Sequence, residues 1–272
     1  MAADERREVF GWQGFRFDHP ADWAPVVLIG TAKSGRVRFD AKDSLSIQVR
    51  WKASPHPPDG ESALRAYLKN LHRDAARART PFSSNVQQDG AAWRYSWSSK
   101  LHALGIYWFA PELKRTFLVE AVGTSKNPPK KALEAAWERF ELSPGDAWLW
   151  SLYGLALKLP AGFQLVQPTL RAGRTTLEFR ARGARLVAER WGFGRQLVEK
   201  HGLAEWAASL HRLPQGSGTT DGPRFHWKGE RRIGWFPSRT VLVRYDEERN
   251  HLTSVVCDFR SKDLEPQWDW FA

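Results

Sequence analysis

The strongest constraint on this chain is that it matches itself. Gly14-Phe-Arg-Phe-Asp-His-Pro-Ala-Asp-Trp23 aligns without a gap against Gly154-Leu-Ala-Leu-Lys-Leu-Pro-Ala-Gly-Phe163, 140 positions on. Trp51 matches Trp191 at the same offset, each closing a strand-like run. Leu71-His72-Arg73 then matches Leu210-His211-Arg212, and Asp89-Gly90 and Asp221-Gly222 each precede an aromatic strand. Ser125-Lys126 pairs with Ser261-Lys262 and Trp137 with Trp268, on closing helices. A slowly drifting offset across the whole chain is the signature of a duplicated domain. The expected division is a tail at 1–8, repeat 1 at 9–142, a linker at 143–146 and repeat 2 at 147–272. So short a linker argues that the repeats pack as an intramolecular pseudo-dimer.

Within each repeat the periodicity switches between two and 3.6 residues. Leu45-Ser-Ile-Gln-Val-Arg-Trp51 alternates apolar and polar side chains, as a half-buried strand does. Leu64, Tyr67, Leu68, Leu71 and Ala75 recur at helical spacing, as do Leu203, Trp206, Ala207, Leu210 and Leu213. The pattern predicts an α/β (α+β) fold of two tandem domains. Each is a mainly antiparallel sheet of six to seven strands with two helices, the second helix closing the repeat. Expected strands are 34–40, 44–52, 91–98, 102–109 and 115–123, then 173–180, 185–192, 224–230, 239–246 and 251–259.

A Phe-x-Phe-x-x-Pro-x-x-Trp opening (Phe15 to Trp23), a strand meander, one helix, a three-strand meander and a closing helix resembles the PsbP-like superfamily. That group includes photosystem extrinsic proteins, a Ran-binding import factor and bacterial effector chaperones. The resemblance implies an α/β sandwich and a role in binding proteins without catalysis. It transfers no functional residue, because Pro20, Trp23, Pro160 and Phe163 match positions that serve a turn and the core.

The residues themselves offer no catalytic constellation. The eight histidines form no His-x-x-x-His or His-x-His pair and no cysteine set joins them, so neither a metal nor a cofactor is expected. Gly216-Ser-Gly-Thr-Thr-Asp-Gly222 lacks the lysine of a phosphate loop, and no Gly-x-Ser-x-Gly elbow occurs. The single cysteine, Cys257, sits in an apolar run and reads as a buried strand residue. No run reaches the ~18 apolar residues of a membrane span. The charged start and lone cysteine together predict a cytoplasmic protein.

Two features carry a functional expectation. The net charge of +11 is divided almost evenly between the halves and favours anionic partners. Arg65, Lys69, Arg73 and Arg77 recur every fourth residue along the first helix, with Ala204, Ala208 and Arg212 matching in the second repeat. Strand residues Arg36 and Arg38, and Arg180 and Arg182, share faces by two-residue alternation and extend the candidate anion- or partner-binding surface. Of the fifteen tryptophans, most fall at core positions, while Trp148, Trp150, Trp268 and Trp270 are expected at a seam between repeats. The leading expectation is a non-catalytic scaffold or assembly subunit that presents a sheet face or inter-repeat groove to a protein partner or larger complex. A nucleic-acid or ribonucleoprotein binder using the Arg65–Arg77 stripe is the alternative, and a small-ligand or enzyme pocket between repeats stands third. The sequence leaves the oligomeric state open.

Overall fold

The structure, a computed structural model, describes residues 7–41, 43–230 and 236–272; most of the expected tail, 1–6, lies outside them. The chain divides into two compact units, Met1–Pro144 and Gly145–Ala272. It is an α+β fold of antiparallel sheets.

Unit 1 runs β1 (Arg7–Trp12), β2 (Phe15–Pro20), β3 (Ala24–Gly30), β4 (Ser34–Asp40), β5 (Ser46–Ala53), α1 (Gly60–Arg77), β6 (Ser83–Asp89), β7 (Ala92–Ser98), β8 (His102–Ala110), β9 (Arg115–Gly123), α2 (Lys130–Glu138) and β10 (Glu141–Leu142). Its main sheet has the order β3-β4-β5-β9-β8-β7-β6. The β1–β2 hairpin, extended by β10 on β2, packs on one face. Phe10 and Phe17 meet Phe39, and Phe15 meets Trp51 and Phe117, at 4.9–5.7 Å between ring centres. α2 joins this core through Trp137, whose ring stands edge-on to Trp108 at 4.8 Å. α1 covers part of the other face, burying Leu64 and Leu68 against Tyr95 and Leu118. Asp59 starts α1 by accepting bonds from the Glu61 and Ser62 amides, which no helical carbonyl satisfies.

Unit 2 runs β11 (Ala147–Leu152), β12 (Leu155–Pro160), β13 (Gln164–Arg171), β14 (Arg174–Ala181), β15 (Ala184–Gly192), α3 (Gly194–His201), α4 (Leu203–His211), β16 (Thr219–Asp221), β17 (Arg224–Glu230), β18 (Ser238–Asp246) and β19 (His251–Phe259). Its sheet order, β13-β14-β15-β19-β18-β17-β16, repeats that of unit 1 strand for strand. The opening hairpins turn alike as well. Gln13-Gly14 and Tyr153-Gly154 all have positive φ, the requirement of a two-residue primed turn. The proline turns match: Trp23 N–H donates to Pro20 O and Phe163 N–H to Pro160 O, each at 3.0 Å.

Three expectations are corrected. Unit 2 has no closing helix among its described residues; Lys262–Leu264 and Trp268–Trp270 are single 3₁₀ turns, separated by Pro266, which interrupts helical hydrogen bonding. The one helix expected after β15 is two, because Gly202 adopts φ 72° and ψ 151°, a conformation outside the helical region. Trp51 and Trp191 are not equivalent either. Trp51 faces the hairpin core through Phe15, whereas Trp191 faces α4, with its ring 5.9 Å from Trp206. A one-residue slip reverses a strand's faces, so the 140-residue match does not hold through this strand.

Candidate functional site

The site grows from one buried carboxylate. Glu120 on β9 is 1% exposed and opposes Gln48 of β5 across the sheet, on the face covered by α1. Gln48 Nε2 donates to Glu120 Oε1. The Tyr67 hydroxyl, from α1, lies 3.0 and 3.1 Å from the two carboxylate oxygens. Tyr95 OH and Trp97 Nε1, both from β7, reach Oε2 at 2.9 Å. Four neutral donors from three elements therefore close on the carboxylate. Arg50 stands behind them, 5.2 Å from the Tyr67 ring centre. Burial, reinforced by the Glu120 charge, pushes the Tyr67 and Tyr95 hydroxyls well above the usual tyrosine range. This saturated cage fixes α1 to the sheet. The signal for it in the sequence is a lone acid within Phe117-Leu-Val-Glu-Ala-Val122, a run otherwise read as core.

With α1 fixed, its outer flank and β6 enclose a groove of about 440 Å³. Arg65, Lys69 and His72 line it from the helix, Leu68, Phe82 and Val86 form its apolar floor, and Ser84 and Asn85 form its lip. A second groove of about 480 Å³ lies across the end of β6 and includes Ser83, Asn85, Ser98, His102 and Lys130. The two grooves share Ser84 and Asn85, so β6 is the ridge between them.

The basic stripe does not act as one surface. Steps of four residues drift by about 40° around a helix of 3.6 residues per turn, so Arg65 and Arg77 point in different directions. Arg65 and Lys69 line the groove. Arg65 also bonds Glu61 at 2.5 Å but keeps its side chain 68% exposed. Arg73 bonds Asn70, and Arg77 lies 3.6 Å from Asp74.

Cross-strand pairing puts Arg36 and Arg38 on the same side of the sheet as Gln48 and Arg50, but on β4, away from β6. Arg38 is held by Asp40 at 2.6 Å. Arg180 is exposed on β14, whereas Arg182 sits in the two-residue turn with Gly183 and so does not continue the strand's alternation. The four tryptophans expected at a seam all contact rings of unit 2. Trp148 lies 6.4 Å from Trp150, Trp150 lies 4.9 Å from Phe179, Trp270 lies 5.7 Å from Phe163, and Trp268 lies 5.4 Å from Phe271.

Unit 2 places a different polar cluster at the matching place. Glu189 of β15 opposes Ser254 of β19 under α4. Arg174 Nη2 and Trp191 Nε1 donate to Glu189 at 2.5 and 3.1 Å, and His211 Nε2 lies 2.7 Å from Ser254 Oγ. Ser254 is fully buried, so this Ser–His contact offers no open nucleophile. Burial lowers His211 to about 4 and raises the Cys257 thiol to about 12. No group of three or more metal-ligating side chains occurs among the described residues, and none of their helices is long and apolar enough to cross a membrane.

No family model and no curated protein matches this chain. Among solved structures it is similar to the solution structure of cyanobacterial PsbP (CyanoP) from Synechocystis sp. PCC 6803, at 12% identity and a TM-score of 0.39, over 52% of this chain and 95% of that one.

Proposed function

We propose that this chain is a non-catalytic binding protein whose first unit holds an acidic protein partner at the groove between α1 and β6. The observation that supports it is the meeting of Arg65, Lys69 and His72 with an apolar floor and a sheet edge that, among the described residues, no further strand pairs with. The polar clusters that could have carried chemistry are sealed instead. A protein partner is favoured over a nucleic acid because the stripe is divided: Arg65 and Lys69 line the groove, whereas Arg77 points elsewhere and lies 3.6 Å from Asp74. A phosphate backbone rewards a continuous row of unpaired cations. We further propose that the units arose by duplication of one PsbP-like domain, roughly 9–142 and 147–272. The repeated strand order and the repeated proline turn support this.

The test compares the full chain with its Arg65→Glu/Lys69→Glu variant in affinity capture from native lysate, read by quantitative mass spectrometry. Acidic proteins retained by the parent and lost from the variant are the expected result. Identical capture by both overturns the groove as the binding site. Labelled RNA and DNA are titrated in parallel at two salt concentrations. Tight binding with a log–log salt slope of about −4 to −5 favours the nucleic-acid reading instead.

A further inference from the structure

A sheet edge exposes a row of unpaired N–H and C=O groups, and chains ordinarily guard such edges with proline, bulges, short strands or charge. The two seven-stranded sheets have four edges between them, and three are guarded. β3 carries Pro25 and a register shift between Pro25 and Val27. β13 carries Pro168 and a shift between Leu165 and Gln167. β16 is three residues long.

β6 has none of these guards. Ser83-Ser-Asn-Val-Gln-Gln-Asp89 runs seven residues in unbroken register with β7, contains no proline, and bears no charge before Asp89. Its burial pattern is exposed throughout except for Val86. Among the described residues, no other strand pairs with its outer side.

Resting on the reading of the groove as a partner site, we infer that β6 takes an extended acidic segment of the partner as an eighth strand of the sheet. An added strand would lie ~4.8 Å from β6, with side chains alternating between the two sheet faces. Ser84, Val86 and Gln88 pair with Trp97, Tyr95 and Trp93, residues of the α1 face, so one face of the added strand looks toward α1. The side chains on that face meet Arg65, Lys69 and His72 over the apolar floor. Acidic residues at every second position, with one or two apolar residues among them, are the complement. Backbone pairing supplies register, and the cations supply selectivity. The Glu120 cage holds Tyr95 and Trp97 of β7 and Tyr67 of α1 together, so edge and cations keep a fixed separation.

Random twelve-residue peptides are selected by display against the full chain, and the enriched ones are made with a fluorescent label. Enrichment of alternating acidic sequences is expected, with affinity falling about tenfold in Arg65→Glu and in Ser84→Glu, which places a like charge on the lip. Circular dichroism of the variants separates lost binding from lost folding. Hydrogen exchange should slow across Ser83–Asp89 when peptide is bound, and N-methylation of alternate peptide amides should abolish binding while leaving its charge. Peptides that bind with their backbone methylated, or without protecting β6, overturn strand addition but leave an acidic-partner groove standing. Enriched peptides without acidic residues overturn the recognition chemistry, and no enrichment at all overturns the edge as well.

Discussion

Glu120 has no full counter-charge among the groups that bond it, only dipoles, and its stability depends on every dipole pointing inward. Glu120→Gln replaces an acceptor with a donor and sets N–H against O–H and N–H inside a closed space. It is expected to cost ~2–4 kcal/mol, because a buried donor without an acceptor keeps its desolvation penalty. Tyr67→Phe removes one donor of four and is expected to cost ~1 kcal/mol. Urea unfolding measures both, and equal costs would show that the cage does not discriminate donor from acceptor. The tyrosines add a direction with pH. Their hydroxyls stay neutral in the fold at pH values where the unfolded chain ionises near 10, so stability is intact below pH 10 and declines above it. Alternation along β9 was enough to put residues 118, 120 and 122 on one face. It did not reveal the cage, because Tyr67 and Trp97 fit the apolar pattern equally well as plain core. A hydroxyl and an indole N–H become informative only when their partner is known.

At the scale of elements, two glycines do different work. Gly105 on β8 lies beneath the Tyr95 ring, and a Cβ there would meet the ring carbons and, at 2.5 Å, the hydroxyl. Gly105→Ala is expected to displace Tyr95 from Glu120 and to cost ~1–3 kcal/mol by overpacking. Nothing lies within 4 Å of a Cβ at Gly202, so Gly202→Ala tests backbone geometry alone. At φ 72° and ψ 151° it is expected to cost ~1–3 kcal/mol, or to fuse α3 with α4. Thermal unfolding with far-ultraviolet dichroism distinguishes these outcomes, and a neutral Gly202→Ala would mean that the kink is not imposed by that residue. The central strands were legible because both of their faces are buried or half-buried. β6 was not, since Val86 is its single apolar side chain and an edge strand exposed to water has no alternation to show. The α1 cations were found but read as one row, because linear spacing hides the helical drift that separates Arg65 from Arg77. Arg182 failed for the related reason that alternation counts residues into a turn as readily as along a strand.

At the scale of the molecule, the units share a strand order and a polar pair beneath a helix, yet the pair is Gln48 and Glu120 in one and Glu189 and Ser254 in the other. The buried histidines of the two units differ as well, and they make the units respond differently to acid. In unit 2 burial holds His211 and His251 at about 4, while an unfolded histidine titrates near 6.5. Above pH 6.5 both states are neutral and the full stability is present. Between 6.5 and about 4 the unfolded chain takes up protons that the fold refuses, so stability is lost as pH falls. Each histidine contributes on the order of 2 kcal/mol over that window. In unit 1 burial lowers His19 in this way, and the central polar cluster contains no histidine. Acid is therefore expected to open unit 2 first. Amide exchange at pH 7 and pH 4.5 should show β15 and β19 losing protection while β5 and β9 retain most of theirs. His211→Gln, which can keep a side-chain donor near Ser254 but binds no proton, should about halve the response of unit 2, because His251 remains. Equal loss of protection in both units, or an unchanged response in His211→Gln, would assign the acid sensitivity to the general self-repulsion of a chain carrying +11 rather than to buried histidines.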